Sequence, residues 1–191
     1  MKDLFSIKDK VAVVTGGSRG IGEMISAGFL ASGAKVYISS RKAEVCDATA
    51  ERLSSKYGGE CISLPSDLSN LDGIESLVNK LNAKESKLDI LINNAGVAWG
   101  APLDEYPETG WDKVMDTNVK GVFFLTQKLL PLLREGAKQE PSRVVNIGSI
   151  DGLTAGIFEN YAYGPSKAAL HHLTKILAAN LIKEKIIVNA I

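Results

Sequence analysis

Cysteine is scarce: only Cys46 and Cys61 occur in 191 residues. Two cysteines build no disulfide framework. Both fall in segments that read as buried, so they are expected to act as small apolar side chains in a reducing compartment. An excess of either charge is also missing. Lys+Arg is 22 and Asp+Glu is 22, a formal net charge of +0. That balance leaves nothing to neutralise phosphates by bulk charge, which argues against a nucleic-acid partner. There is no long hydrophobic run. The greasiest stretch, near 122–133, holds Gln127, Lys128 and Pro131 and is too short for a bilayer span. The apolar residues 11–14 that follow the charged start are too few for a secretion signal. These absences lead to the expectation of a cytoplasmic protein without a membrane partner.

What is present is apolar mass. Hydrophobic residues make up 45% of the chain, enough to bury a core and to exclude disorder. The length suits one domain. Short, continuously apolar runs lie at 11–15, 35–39, 61–64, 88–92, 143–147 and 186–191. They do not alternate with polar residues, as expected of strands covered on both faces.

Between them the apolar spacing turns helical. Ile21, Met24, Ile25 and Phe29 share a face, and Gly33 supplies a stop. Cys46, Ala50 and Leu53 do the same before Gly58. Leu71, Ile74, Val78 and Leu81 form a cleaner stripe, with Ser69 and Asp72 spaced as a capping box. Met115, Val119, Val122, Phe123, Leu129 and Leu133 mark a long fourth helix that Pro131 should kink or end. An Ala-rich fifth covers 163–183. Such alternation implies right-handed crossovers and a parallel sheet: an α/β, doubly wound, three-layer αβα Rossmann fold. We expect a single dinucleotide-binding domain over 1–191, incomplete at its C-terminus because the last run ends inside a strand.

Ligands of such sheets bind beyond the carboxyl ends of the strands. Thr15-Gly16-Gly17-Ser18-Arg19-Gly20-Ile21-Gly22 sits there, after the first strand and before the first helix. Gly16 permits a tight turn, Gly20 lets backbone approach a pyrophosphate, and Gly22 lets the helix pack against the strand. The helix start with Ile21 offers free N–H groups to the anion. A carboxylate after the second strand would select NAD by binding the ribose 2′-hydroxyl. Ser39-Ser40-Arg41-Lys42 stands there instead. Arg41, with Arg19 and Ser18, could hold a 2′-phosphate, so NADP(H) is the expected cofactor. Asp67, with Leu68 beside it, could accept from the adenine amino group or cap the following helix. Asn93-Asn94-Ala95-Gly96 ends the fourth strand, where small residues leave room for a ribose. Asn93 is expected to be structural and Asn94, Ala95 and Gly96 to lie near the cofactor. No residue set suggests a metal.

Tyr163 and Lys167 are four residues apart and so share one helical face, whereas Tyr161 meets Pro165 at that offset. A phenol ordinarily titrates at about 10. A nearby ammonium favours the phenolate and makes such a phenol a usable general acid for a carbonyl under reduction. Ser149, just past the fifth strand, could hydrogen-bond the same oxygen. Asn118 is a poor choice for a helix interior, which suggests a backbone or water contact.

In order, Thr-Gly-x-x-x-Gly-x-Gly at 15–22, Asn-Asn-Ala-Gly at 93–96, Asn118, Ser149 and Tyr-x-x-x-Lys at 163–167 resemble the short-chain dehydrogenase/reductase family over nearly the whole chain. The resemblance implies that Tyr163 is the catalytic acid/base and that Lys167 holds the nicotinamide ribose. It further implies that Ser149 positions the carbonyl and that Asn118 anchors a water in a proton relay. The implied reaction is hydride transfer from NADPH to a ketone, in a homotetramer or homodimer packed through the two long helices. Family members continue past 191 into a substrate loop and a last strand. Within the family the chain is similar to NADPH-dependent 3-oxoacyl reductases, acting on a carrier-bound carbonyl substrate. Residues 99–102, 106–111 and 161–170 look most like the bacterial branch linked to rhamnolipid synthesis. Asp151 stands where relatives commonly have small neutral residues. A sugar, steroid or small-alcohol dehydrogenase is the alternative enzyme, and a non-catalytic nucleotide sensor the alternative of another class.

Overall fold

The computed structural model describes residues 5–191; the first four residues, part of the charged start considered above for a secretion signal, lie outside it. Six strands form one parallel sheet: β1 (Val11–Thr15), β2 (Lys35–Ser39), β3 (Cys61–Ser63), β4 (Ile90–Asn93), β5 (Ser142–Asn146) and β6 (Ile186–Ala190). Their order is β3-β2-β1-β4-β5-β6. β1 pairs with β2 in register Val11 to Lys35 and with β4 in register Ala12 to Ile90. The doubly wound expectation therefore holds, with the direction of winding reversing between β1 and β4.

The helices cover both faces: α1 (Gly20–Ala31), α2 (Ala43–Tyr57), α3 (Leu71–Asn82), α4 (Glu108–Met115), α5 (Gly121–Gly136) and α6 (Tyr163–Leu181). Alternate strand residues feed two cores. Val13, Leu91 and Val144 point to one, packed under Leu77, Leu81, Leu129 and Leu133. Ala12, Val14, Ile38 and Ile92 point to the other, packed under Leu30, Cys46 and Leu53. Each of these side chains is buried, which is why the central strands β1 and β4 are apolar on both faces. Both cysteines are free and buried, and burial pushes the Cys61 thiol up to about 12.

Three local expectations are corrected. The α3 cap is Asn70, whose side chain accepts from the Gly73 N–H at 2.8 Å. Ser69 turns instead to Asp67, donating from its N–H and its hydroxyl to Oδ1. The expected fourth helix, marked from Met115 to Leu133, opens with a π-helical turn at Asp116–Lys120 that contains Asn118 and continues as α5, while α4 ahead of it has no counterpart in the apolar pattern read from the sequence. Pro131 does not end α5, which runs on to Gly136. The i−4 residue, Gln127, and Pro131 are both exposed, so the carbonyl left without a partner faces water. Beyond it the helix is tied down by the Leu88 N–H donating to the Leu132 carbonyl and by the Ser142 hydroxyl donating to the Leu133 carbonyl.

Candidate active site

At the carboxyl ends of β1, β2 and β4 lies a cavity of about 560 Å³. Its wall includes Gly16, Ser18, Arg19, Gly20 and Ile21 from the glycine turn, and Asp67 and Leu68 after β3. Arg41 with its neighbours Ser39, Ser40 and Lys42 completes one side, and Asn94, Ala95 and Gly96 the other. The turn fits a phosphate-bearing ligand. Gly16 (φ 64°) and Gly20 (φ 56°) are both left-handed, a conformation glycine tolerates. A Cβ on Gly20 would meet nothing within 4 Å, so the backbone faces open space at the start of α1. Gly22 is not on the wall. A Cβ there would strike the Gly16 carbonyl oxygen and the Asn94 amide, so its smallness serves helix packing. Ser39 lies among the lining residues, and its buried hydroxyl has no hydrogen-bond partner among the described residues.

The seam between β1 and β4 is bonded by side chains. The Thr15 hydroxyl donates to the Ile92 carbonyl at 3.2 Å and accepts the N–H groups of Asn94 and Ala95, each at 2.9 Å. The Asn94 amide donates to the Thr15 and Gly16 carbonyls at 2.9 and 3.3 Å. Asn94 thus both lines the cavity and fixes the glycine turn. Asn93 is structural as expected: its amide donates to Asn146 Oδ1 at 2.8 Å and to the Thr126 hydroxyl at 3.2 Å, holding β4 to β5 and α5.

Asn118 is buried at 1% exposure. Its amide donates to the Val97 carbonyl at 2.9 Å and to the Ser166 hydroxyl at 3.0 Å, and its Oδ1 accepts from the Val97 N–H at 2.9 Å. The side chain therefore braces the cavity wall at Val97 against the first turn of α6. Ser166 completes this brace by donating to the Tyr163 carbonyl at 2.7 Å. It lies inside the Tyr-x-x-x-Lys stretch, yet sequence reasoning passed over it. Thr15 was likewise quoted only as the start of the glycine motif. The cavity-lining Thr117, Val97 and Ser39 carried no signal beyond their neighbours'.

Lys167 is buried, and burial pushes its ammonium below the usual lysine range. It donates to the Ile147 carbonyl at 2.7 Å. It also lies 5.7 Å from the Tyr163 ring centroid and 3.6 Å from where a Gly96 Cβ would be. Tyr163, half-buried, and Lys167 thus stand one helical turn apart beside the cavity's Gly96 rather than on its wall. Ser149 precedes a 3-10 turn, Ile150–Gly152, and its hydroxyl accepts from the Asp151 N–H at 3.2 Å. That turn is in backbone contact with α6. A Cβ on Gly152 would fall 2.8 Å from the Lys167 carbonyl carbon, and one on Gly164 3.0 Å from the Asp151 oxygen. The His171 ring fills the space where a Gly148 side chain would go, and its buried Nδ1 has no partner. Asp151 is half-buried and lines a second cavity of about 440 Å³ with Phe158, Asn160 and Tyr161. The structure sets an ammonium between the cavity's Gly96 and a phenol, and the turn that Ser149 opens packs against the helix carrying both.

A sequence model described as short chain dehydrogenase matches residues 10–191. The 3-oxoacyl-acyl-carrier-protein reductase of rhamnolipids biosynthesis from Pseudomonas aeruginosa is 52% identical over 192 residues, spanning 100% of this chain and 74% of that protein. The NAD-dependent glycerol dehydrogenase of Listeria innocua is 36% identical over 187 residues, spanning 98% of this chain and 70% of that protein. The solved Pseudomonas aeruginosa RhlG/NADP active-site complex superposes with a TM-score of 0.94 at 51% identity, over 100% of this chain and 74% of that one.

Proposed function

The chain belongs to the short chain dehydrogenase family, and we propose that it reduces a ketone to a secondary alcohol with NADPH, the ketone being a 3-oxoacyl thioester on an acyl carrier or coenzyme A. One observation carries the reading: the buried Lys167 ammonium links the nucleotide cavity, at Gly96, to the Tyr163 ring. A nucleotide sensor would need the glycine turn but not this junction.

Gly16, Gly20 and Ile21 would receive the pyrophosphate, and Ser18, Arg19 and Arg41 the 2′-phosphate. Asp67 and Leu68 border the adenine, Asn94, Ala95 and Gly96 the ribose. Gly22 contributes by allowing α1 to reach the turn. The bound nucleotide supplies two electrons and a hydrogen to the carbonyl carbon. Tyr163 gives its phenolic proton to the carbonyl oxygen, so the product is a neutral alcohol. Ser149 donates a hydrogen bond to that oxygen. Lys167 holds the nicotinamide ribose and sits by the phenol that must be reprotonated. Asn118 fixes Val97 and α6 in register, and its turn is the place for the relay water implied by the family.

The substrate class rests on the 52% identical relative, a 3-oxoacyl reductase, set against 36% for the glycerol dehydrogenase. No helix among the described residues is long and apolar enough to cross a membrane, in keeping with a cytoplasmic enzyme. We place self-association, as a homotetramer or homodimer, on α5 and α6, where Ile176 is 47% exposed.

Oxidation of NADPH with 3-oxoacyl thioesters and with ketoses, and reduction of NADP⁺ with glycerol, each followed at fixed enzyme, test the assignment. Turnover should be highest with the thioesters. Turnover of a ketose or of glycerol with none of any thioester would replace it by the small-alcohol reading.

A further inference from the structure

Two loops leave the carboxyl ends of the central strands beside the catalytic residues: residues 94–107 after β4 and residues 147–162 after β5. They are joined at two points. The Ala101 N–H donates to the Glu159 carbonyl at 3.0 Å. The rings of Tyr106 and Tyr161 meet edge to face, their centroids 5.6 Å apart and their planes at 82°. Such a contact contributes beyond the area it buries.

Tyr106 is itself held. Its hydroxyl donates to the Trp99 carbonyl at 3.2 Å. The Trp99 indole covers Gly110, where a Cβ would come within 2.7 Å of the ring, and the Lys113 ammonium lies 5.2 Å from its centroid. Tyr106 is thus anchored to α4, while Tyr161 stands two residues before Tyr163. Tyr163 is held within α6 by Ser166 donating to its carbonyl, besides its own N–H donating to the Asn160 carbonyl at the end of the loop. The joined loops carry apolar side chains in water: Leu103 at 70% exposure, Leu153 at 72%, Ile157 at 94% and Phe158 at 71%.

We propose that Tyr106 and Tyr161 are specificity-determining residues: their ring contact holds the two loops at one separation, so that the aliphatic chain of the substrate meets a single preordered apolar wall. The proposal rests on the 3-oxoacyl reading above. A wall already ordered spares the substrate the entropy of ordering it, and the saving grows with the length of chain that touches it. Losing the contact therefore weakens binding of long substrates more than short ones. It leaves the chemical step, set by Tyr163, Lys167 and Ser149, in place.

The test is a mutant cycle with 3-oxooctanoyl and 3-oxobutanoyl thioesters in the NADPH-loaded enzyme. Tyr161→Ala and Tyr106→Ala should each raise KM for the octanoyl substrate roughly tenfold. KM for the butanoyl substrate, kcat for both and the Kd for NADPH should stay within about twofold. The double variant should be no worse than either single, and Tyr161→Phe, which keeps the ring, should restore the wild-type KM. Amide exchange supplies a readout free of turnover: Tyr161→Ala should speed exchange in residues 97–107, on the loop that was not mutated. Additive KM effects, equal effects on both chain lengths, or unchanged exchange in 97–107 would overturn the proposal. A wild-type enzyme inert toward both thioesters would overturn the 3-oxoacyl reading instead, and the exchange measurement would still decide whether the loops are coupled.

Discussion

Lys167 sits where its charge is unwelcome. It is buried and has one acceptor, the Ile147 carbonyl, so desolvation pushes its pKa below the ordinary 10.5. The unfolded chain keeps the ordinary value. As pH rises from the lowered folded pKa toward 10.5, the folded state releases a proton that the unfolded state still holds, so stability rises through that window. Lys167→Met removes this slope. Denaturant unfolding at a series of pH values should show the variant more stable near neutrality, with its advantage shrinking above the folded pKa. Its turnover should be lost throughout. Tyr163→Phe should lower kcat by about 100-fold or more with NADPH affinity kept, measured by single-turnover kinetics and cofactor titration. Arg41→Asp should move preference from NADPH toward NADH, read as the ratio of kcat/KM values. Tyr163, Lys167, Ser149 and the glycine turn were legible because their chemistry tolerates few residue types at those spacings. Ser166, Thr15 and the orphan Ser39 were not. A serine or threonine suits caps, turns and cores alike, and only the position of its partner tells which.

The element scale shows where pattern reading stops. The six strands and five of the six described α-helices followed from apolar periodicity, but α4 and the ends did not. Ser69 and Asn70 are adjacent, both good caps, and nothing in one dimension chooses between them. The structure assigns the role to Asn70. Asn70→Ala should accordingly destabilise the fold by about 1 kcal/mol in equilibrium unfolding. The π turn at Asp116–Lys120 was also hidden, since an inserted residue shifts the helical phase without leaving an apolar signature. Its trace was Asn118, a residue ill suited to a helix interior. Asn118→Ala would strip three hydrogen bonds from Val97 and Ser166, two of them backbone partners. A loss of about 1–3 kcal/mol is expected in thermal or denaturant melts.

Across the whole molecule, the doubly wound class was within reach of the sequence because repeated strand–helix alternation calls for right-handed crossovers and a parallel sheet, whereas the strand order is read from the structure. What alternation could not supply was the fastening of the two halves. The segments after β1 to β3 carry Ser18, Arg19, Arg41 and Asp67, the residues proposed to select the nucleotide. Everything assigned to the chemistry follows β4. Within the sheet the halves meet where β1 pairs with β4, pinned by Thr15 and Asn94, and Lys128 on α5 pairs with Glu75 on α3 across the same divide. That division makes coenzyme choice transplantable. Grafting residues 18–19 and 35–68 from an NAD-preferring cousin, with Thr15 and Asn94 untouched, should hand over the donor's appetite for NADH while the recipient keeps its own ketone and its own rate constant.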